Sequence, residues 1–280
     1  MQTCDLHTHS IYSDGTCPPG QIIAAAVGLG LSAVALCDHN TVDGLPDFLA
    51  AAAGAPIEAI AGAEFSVDHE GTELHLLGLF LKPEHFAPLS RQMAEVNERK
   101  RQSNIDLVRA LNRAGYAVDY DAIRNSTPNG TCNRAHIARE LTRLGYTASL
   151  TQAFDTLLSP AAGYYQEPRQ LTLWQMLDAL TDLGAVPVLA HPLLNLDEAA
   201  LTALLPRAKE RGLIGMECAY ARYDGAATQV SLALADRFGL CPSGGSDFHG
   251  TNKPDIALGT GRGNLQVPYA WALRLKNTIP

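Results

Sequence analysis

The chain has 280 residues, 46% of them hydrophobic and 18% charged, enough to bury a full core as one large domain or as a domain with an insertion, and this composition excludes a disordered or fibrous protein. The formal net charge of -8 argues against stable binding to duplex nucleic acid, which relies on a basic face, but leaves small anionic substrates open. No run of eighteen or more uncharged apolar residues occurs and the start, MQTCDLHTHS, lacks a signal layout, so a cytoplasmic protein with no membrane partner is expected.

In chain order, short apolar runs rich in β-branched or small residues mark seven candidate strands, at residues 3–7, 33–37, 57–64, 73–81, 186–190, 214–218 and 240–243. Helical apolar spacing covers 21–29, 173–183, 198–211 and 226–238, with Gly30, Gly184, Gly212 and Gly239 placed to stop each helix. Strands alternating with helices are the pattern of an α/β protein with a closed or nearly closed βα barrel, in which side chains at the carboxyl ends of the strands converge on one mouth. Between 81 and 171 that rhythm stops, and the segment reads as helices over 87–114 and 134–144, a loop over 125–133 containing Pro128 and Gly130, and a return loop over 159–168. The expected organisation is a barrel built from 1–99 and 169–280, with a helical cap subdomain inserted at 100–168.

His7 and His9 are separated by one residue on a strand, so both imidazoles project from the same face and can grip one ion. Alone, such a pair is more readily chance or core packing than a metal site; the reading changes because further histidines recur at the strand ends. Asp14 lies in the turn Ser13-Asp14-Gly15, where an Asx turn is the plain alternative. His39 follows the second strand, Glu64 ends the third, His75 falls in the fourth, His191 follows the fifth, and Asp247 and His249 follow the seventh. Glu64 stands between Ala63 and Phe65, and a carboxylate in an apolar run must be paired or metal-bound to offset its desolvation. Nine such donors are too many for one four-coordinate ion and suit two or three. Asp5, Asp38 and Asn40 flank these positions and could orient an imidazole or simply make structural hydrogen bonds. His69 and His85 read as surface residues, and Trp174 and Trp271 as packing residues.

In Asp5-Leu6-His7-Thr8-His9, Asp38-His39-Asn40-Thr41, Gly62-Ala63-Glu64, Ala190-His191-Pro192 and Ser246-Asp247-Phe248-His249 the chain resembles the polymerase and histidinol phosphatase (PHP) family, along essentially the whole barrel. The resemblance implies a distorted seven-stranded βα barrel, a centre of three divalent ions and phosphoester hydrolysis. Carried over position by position, it implies one ion on His7, His9 and Asp247, a second on Asp14, His39 and His249, and a third on His75 and His191, with Glu64 bridging the first and third. Asn133-Arg134-Ala135-His136 in the insertion resembles a motif of the family branch that carries such a cap and acts on nucleotides, which implies contacts from Arg134 and His136 to substrate phosphate. The planar fork of Arg suits that role, although an Arg at a helix start is also commonly a solvated charge.

The expected chemistry is attack on phosphorus by a hydroxide held in the metal cluster, with His136 as a candidate proton donor. Mixed His and carboxylate donors accept Mn, Zn or Fe, and Mn is the expected metal. The expected substrate is a nucleoside 3′,5′-bisphosphate losing its 3′-phosphate, or the 5′ end of a short single-stranded oligonucleotide. Histidinol phosphate or another small phosphomonoester is the nearest alternative, and a noncatalytic metal- or nucleotide-binding module is the alternative outside enzymes. A metal-dependent amidohydrolase also begins on His-x-His, but Asp14, His39 and the closing Asp247-Phe248-His249 fit it poorly. The six cysteines form no CxxC pair and read as reduced thiols.

Overall fold

Strands buried on both faces read in sequence as continuous apolar runs, and those runs build the wall that positions the site. A computed structural model of the chain describes residues 2–127, 130 and 132–279. In chain order the strands are β1 (Thr3–Thr8), β2 (Ala33–Leu36), β3 (Glu58–His69), β4 (Thr72–Leu79), β5 (Leu171–Thr172), β6 (Val186–Ala190), β7 (Gly215–Tyr220), β8 (Cys241–Gly245) and β9 (Val267–Pro268). The helices are α1 (Pro19–Gly28), α2 (Leu45–Ala52), α3 (Pro83–Arg113), α4 (Tyr120–Ser126), α5 (Arg134–Arg143), α6 (Leu150–Asp155), α7 (Leu173–Asp182), α8 (Glu198–Glu210), α9 (Gly225–Phe238) and α10 (Tyr269–Lys276). The chain divides into two compact units, Met1–Arg91 with Gln170–Pro280, and Gln92–Arg169.

In the first unit the strands follow one another as β8-β7-β6-β4-β3-β2-β1. The ring closes just beyond β8, where the Asp247 N–H donates to the His7 carbonyl at 2.8 Å and the His9 N–H donates to the Phe248 carbonyl at 2.9 Å. This is the expected seven-stranded α/β barrel, nearly closed and distorted. The two-residue β9 pairs with the start of β1, and β5 with the end of β3. Cys4, Leu6, Ala35, Ile60, Leu77, Val186 and Val188 form one buried cluster, completed by Val267 of β9 and by Ala272 and Leu275 of α10. The four expected helices of this unit appear as α1, α7, α8 and α9, and Gly30, Gly184, Gly212 and Gly239 all take positive φ at or just beyond their ends.

The strand direction departs from a regular βα pattern at β4, which runs antiparallel to both β3 and β6. Glu70 and Gly71 have φ of 54° and 83°, the signs of a type I′ turn whose twist matches a hairpin, so β3 returns directly as β4 with no helix between them. β3 accordingly runs on to His69, past the expected end at Glu64. Helices α2 and α10, eight residues each, were not anticipated, because two turns give apolar periodicity little room to register. No helix among the described residues is long and apolar enough to cross a membrane.

In the second unit the later part of α3 packs with α4, α5 and α6 around Leu107, Leu111, Ile137, Leu141, Ala153, Leu158 and Tyr165. Helix α3 starts at Pro83, ahead of the expected start at 87, and carries Pro88 inside it. Helix α4, whose first turn is capped by the Asp119 side chain accepting from the Ala122 N–H, takes in Asn125 and Ser126, which were expected in the loop over 125–133. Pro128, Asn129 and Thr131 of that loop lie outside the described residues.

Candidate metal centre

All nine expected donors meet in the barrel unit, and Glu64 is their hub. Its Oε2 lies 3.2 Å from His7 Nε2, 3.3 Å from His9 Nε2 and 3.0 Å from His39 Nδ1. Its Oε1 lies 2.7 Å from His75 Nδ1 and 3.1 Å from His191 Nε2. Each carboxylate oxygen thus faces its own set of rings. Asp247 Oδ1 is 3.2 Å from His9 Nε2 and 3.9 Å from His7 Nε2, and Asp14 Oδ1 is 3.1 Å from His249 Nε2 and 3.9 Å from His39 Nε2.

Strand direction explains how His75 joins the group. It sits in the first half of β4, yet antiparallel pairing sets it opposite Ser66 near the end of β3 and Ala190 at the end of β6. His191 and Asp247 occupy the residue just after, or two after, a strand, and both have positive φ, 27° and 57°. Such backbone is disfavoured for a residue with a Cβ and persists only where its surroundings hold it. The close approach of β8 to β1 requires Gly245, where an added Cβ would stand 2.4 Å from His7 Cβ and 2.6 Å from His7 N.

The residues flanking the donors hold the frame. Asp5 does not reach an imidazole; it accepts from the Ser246 backbone and hydroxyl at 2.9 and 2.5 Å and from the Gly259 N–H at 2.8 Å, which locks the β8 end against β1. Asp38 accepts from the Ser10 backbone and hydroxyl and from the Ser13 hydroxyl, fixing the loop that carries Asp14. Asn40 accepts from the Ser66 N–H. His69 and His85 lie outside the cluster, with His85 Nδ1 accepting from the Lys82 N–H, and Trp174 packs under the Arg207 guanidinium.

Burial alone would push the carboxyls of Glu64, Asp14 and Asp247 up, but the surrounding imidazoles, with Lys253 foremost at Asp247, hold all three well below the ordinary carboxylate range. Burial drives His9 well below its ordinary value, helped by His249 and His39, and brings His39 down to about 4. At His7 and His75 burial is outweighed by Glu64, which raises the first well above the ordinary value and the second to about 9. Ionised carboxylates facing a ring of nitrogens are a donor set for hard or borderline cations. His7 Nε2, both ring nitrogens of His9, Asp14 Oδ1 and Glu64 Oε2 are buried side-chain atoms without a hydrogen-bond partner. Protein interiors rarely leave such atoms unmatched, and these five fit divalent cations. Groups close enough to share one ion are His9, Asp14, His39 and His249; His7, His9 and Glu64; His7, His191 and Glu217; and His39, Glu64 and His75.

Arg134 and His136 belong to the second unit, at the start of α5. Asn133 and His136 form a reciprocal cap: the Asn133 side chain accepts from the His136 N–H at 3.0 Å, and His136 Nδ1 accepts from the Asn133 N–H at 3.3 Å. The motif therefore has a structural function whatever else it does. The Arg134 guanidinium lies 4.4 Å over the Tyr165 ring.

Three polar residues beside the donors carry contacts that the sequence reading does not include. Glu217 is fully buried beside His7, Tyr220 donates its hydroxyl to Asp247 Oδ2 at 2.9 Å, and Lys253 donates to the same oxygen at 2.5 Å. Glu217 stands in Gly215-Met216-Glu217-Cys218, the same signal of a carboxylate in an apolar run that marks Glu64; Tyr220 and Lys253 carry no local signal.

The PHP domain model matches residues 5–167. A 5′-3′ exoribonuclease of Haemophilus influenzae is 30% identical over 246 residues, spanning 88% of this chain and 89% of that protein. A 3′,5′-nucleoside bisphosphate phosphatase of Chromobacterium violaceum is 29% identical over 251 residues, spanning 89% of this chain and 88% of that protein. The fold is shared with a candidate metal-dependent phosphoesterase from Bifidobacterium adolescentis, at a TM-score of 0.84 and 24% identity over 99% of this chain and 96% of that one. With the family model over more than half its length and curated relatives matched almost end to end, the chain belongs to the PHP domain family.

Proposed function

We propose that the chain removes the 3′-phosphate of nucleoside 3′,5′-bisphosphates and, as a related activity, trims the 5′ ends of short single-stranded oligonucleotides. The observation that carries the reading is the gathering of nine donors in one place, five of them imidazoles facing Glu64, with buried, unpartnered nitrogen and oxygen atoms facing one another. The nucleotide class is supported by end-to-end likeness to a bisphosphate phosphatase and an exoribonuclease, and the acidic chain suits small or single-stranded substrates better than duplex. A cytoplasmic setting belongs to the same reading, supported by six free cysteines.

The cofactor is a set of three divalent ions, Mn foremost, with Zn or Fe as alternatives. His7, His9 and Asp247 would hold one, Asp14, His39 and His249 a second, and His75 and His191 a third, with Glu64 placed to offer one oxygen to each side. When bound, divalent cations lower the pKa of water and neutralise charge growing on phosphate oxygens. Arg134 binds a substrate phosphate through its two-pronged fork, and stacking on Tyr165 limits its rotamers. His136 accepts a backbone N–H at Nδ1, so its neutral form carries the proton on Nε2, the form able to donate to a leaving oxygen.

The test is phosphate release from nucleoside 3′,5′-bisphosphates, short oligonucleotides, histidinol phosphate and an aryl phosphate, using stripped protein with Mn, Zn or Fe restored in turn. Bisphosphate turnover that requires restored metal and exceeds histidinol phosphate turnover is expected. Full turnover in stripped protein, or preference for histidinol phosphate, overturns the assignment.

A further inference from the structure

Strand β7 supplies none of the nine donors, yet it places Glu217 at the centre of the barrel with no exposed surface. A carboxylate buried so completely is strongly unfavourable unless both oxygens are engaged. Here they are: Oε1 lies 3.0 Å from His7 Nδ1, and Oε2 accepts the His191 backbone N–H at 2.8 Å. Glu217 therefore ties the end of β1 to the turn after β6, the two places from which His7 and His191 reach Glu64. That turn needs holding, because His191 has φ 27° and ψ 50°. His7 needs orienting, because its other nitrogen, Nε2, is one of the unpartnered buried atoms.

We propose that Glu217 is a positioning residue of the metal centre. It accepts the Nδ1 proton of His7, which leaves the Nε2 lone pair aimed at the cluster, and it pins the strained turn that presents His191. The inference rests on the metal-cluster reading above. Glu217 also lies within ligand reach of His7 and His191, but both of its oxygens are already committed, so the structure assigns it to orientation and not to ion binding.

Glu217→Gln separates these roles at nearly constant shape. A carboxylate offers two acceptors, whereas an amide offers one acceptor and one donor. The glutamine oxygen can serve either His191 N–H or His7 Nδ1–H, and its NH2 then either opposes a second donor or forces His7 into the tautomer with a proton on Nε2, where an ion would bind. Calorimetric titration of stripped protein with Mn should show the same number of ions as wild type, with the weakest-tolerated site roughly 10- to 100-fold weaker. Equal affinity in wild type and Glu217→Gln, or loss of one whole ion, overturns the inference. Failure of wild type to bind any of Mn, Zn or Fe overturns the metal-cluster reading instead. A measurement needing no variant guards against misfolding: in histidine-labelled wild type loaded with Zn, nitrogen NMR should find His7 coordinated through Nε2 with Nδ1 protonated. Coordination through Nδ1 refutes the proposal.

Discussion

Gly245→Ala tests whether closure of the barrel is what assembles the metal centre. The added Cβ would stand 2.4 Å from His7 Cβ and 2.6 Å from His7 N, and ordinary contact begins at 3.4 Å, so β8 and β1 must separate by about 1 Å. Backbone cannot swing aside as a flexible side chain would. The closure bonds, Asp247 N–H to the His7 carbonyl at 2.8 Å and His9 N–H to the Phe248 carbonyl at 2.9 Å, would stretch beyond useful length. Two lost bonds at about 0.5–1.5 kcal/mol each, with about 1–3 kcal/mol of overpacking, give a destabilisation of roughly 2–6 kcal/mol. For a chain of this size that is a fall in Tm of roughly 3–10 °C. A 1 Å displacement of Asp247 and His249 from His7 should also cost on the order of 100-fold in turnover. Differential scanning calorimetry in chelator isolates the first effect, and phosphate release with restored metal measures the second. Gly28→Ala is the control, since nothing lies within 4 Å of a Cβ there and alanine favours helix α1. If Gly245→Ala matches wild type in both Tm and turnover, closure at this point does not assemble the site.

His9→Ala and Asp247→Ala should each lose bound metal and more turnover than the ~100-fold that removing an outer partner costs; atomic spectroscopy of dialysed protein checks the first, and retained metal with retained activity counts against the donor sets. Arg134→Ala should lower kcat/KM for a nucleoside bisphosphate at least about tenfold while sparing an aryl phosphate, and equal losses would deny Arg134 a substrate contact. Burial opposes protonation of His75, but Glu64 prevails and brings it to about 9 in the ion-free protein. A raised imidazole contributes stability fully below its unfolded value of 6.5 and loses it as pH rises to about 9, so the Tm of stripped protein should fall across that window. Ions bind the unprotonated ring, so metal uptake near pH 7 should release protons, seen as a dependence of binding heat on buffer ionisation enthalpy. A flat Tm profile and buffer-independent heats would contradict this account of His75.

How much of the site was legible in sequence depended on the cost of burying charge. His7 and His9 on one strand face, Glu64 inside an apolar run, and His191, Asp247 and His249 just past apolar runs are costly placements, and a costly placement is visible without coordinates. Glu217 carried that signal too and went unread, because one carboxylate in a strand does not reveal which partner satisfies it. The strands that the barrel buries on both faces and the helices that glycine ends were likewise legible, since continuous apolar runs and left-handed helix caps are local properties.

Tertiary structure decided the rest through contacts that join distant residues. The Glu70–Gly71 turn reverses β4, and only that reversal carries His75 from the first half of its strand to the rim shared with Glu64 and His191. Which Glu64 oxygen faces which ring, how Asp5 locks Ser246 and Gly259, and how Glu217 joins His7 to His191 across 210 and 26 residues of chain are matters of strand register and closure. Residue type and local periodicity set which groups must find partners. The choice of partner belongs to the folded chain, because a hydrogen bond or a shared ion depends on distances that neighbours in sequence do not determine.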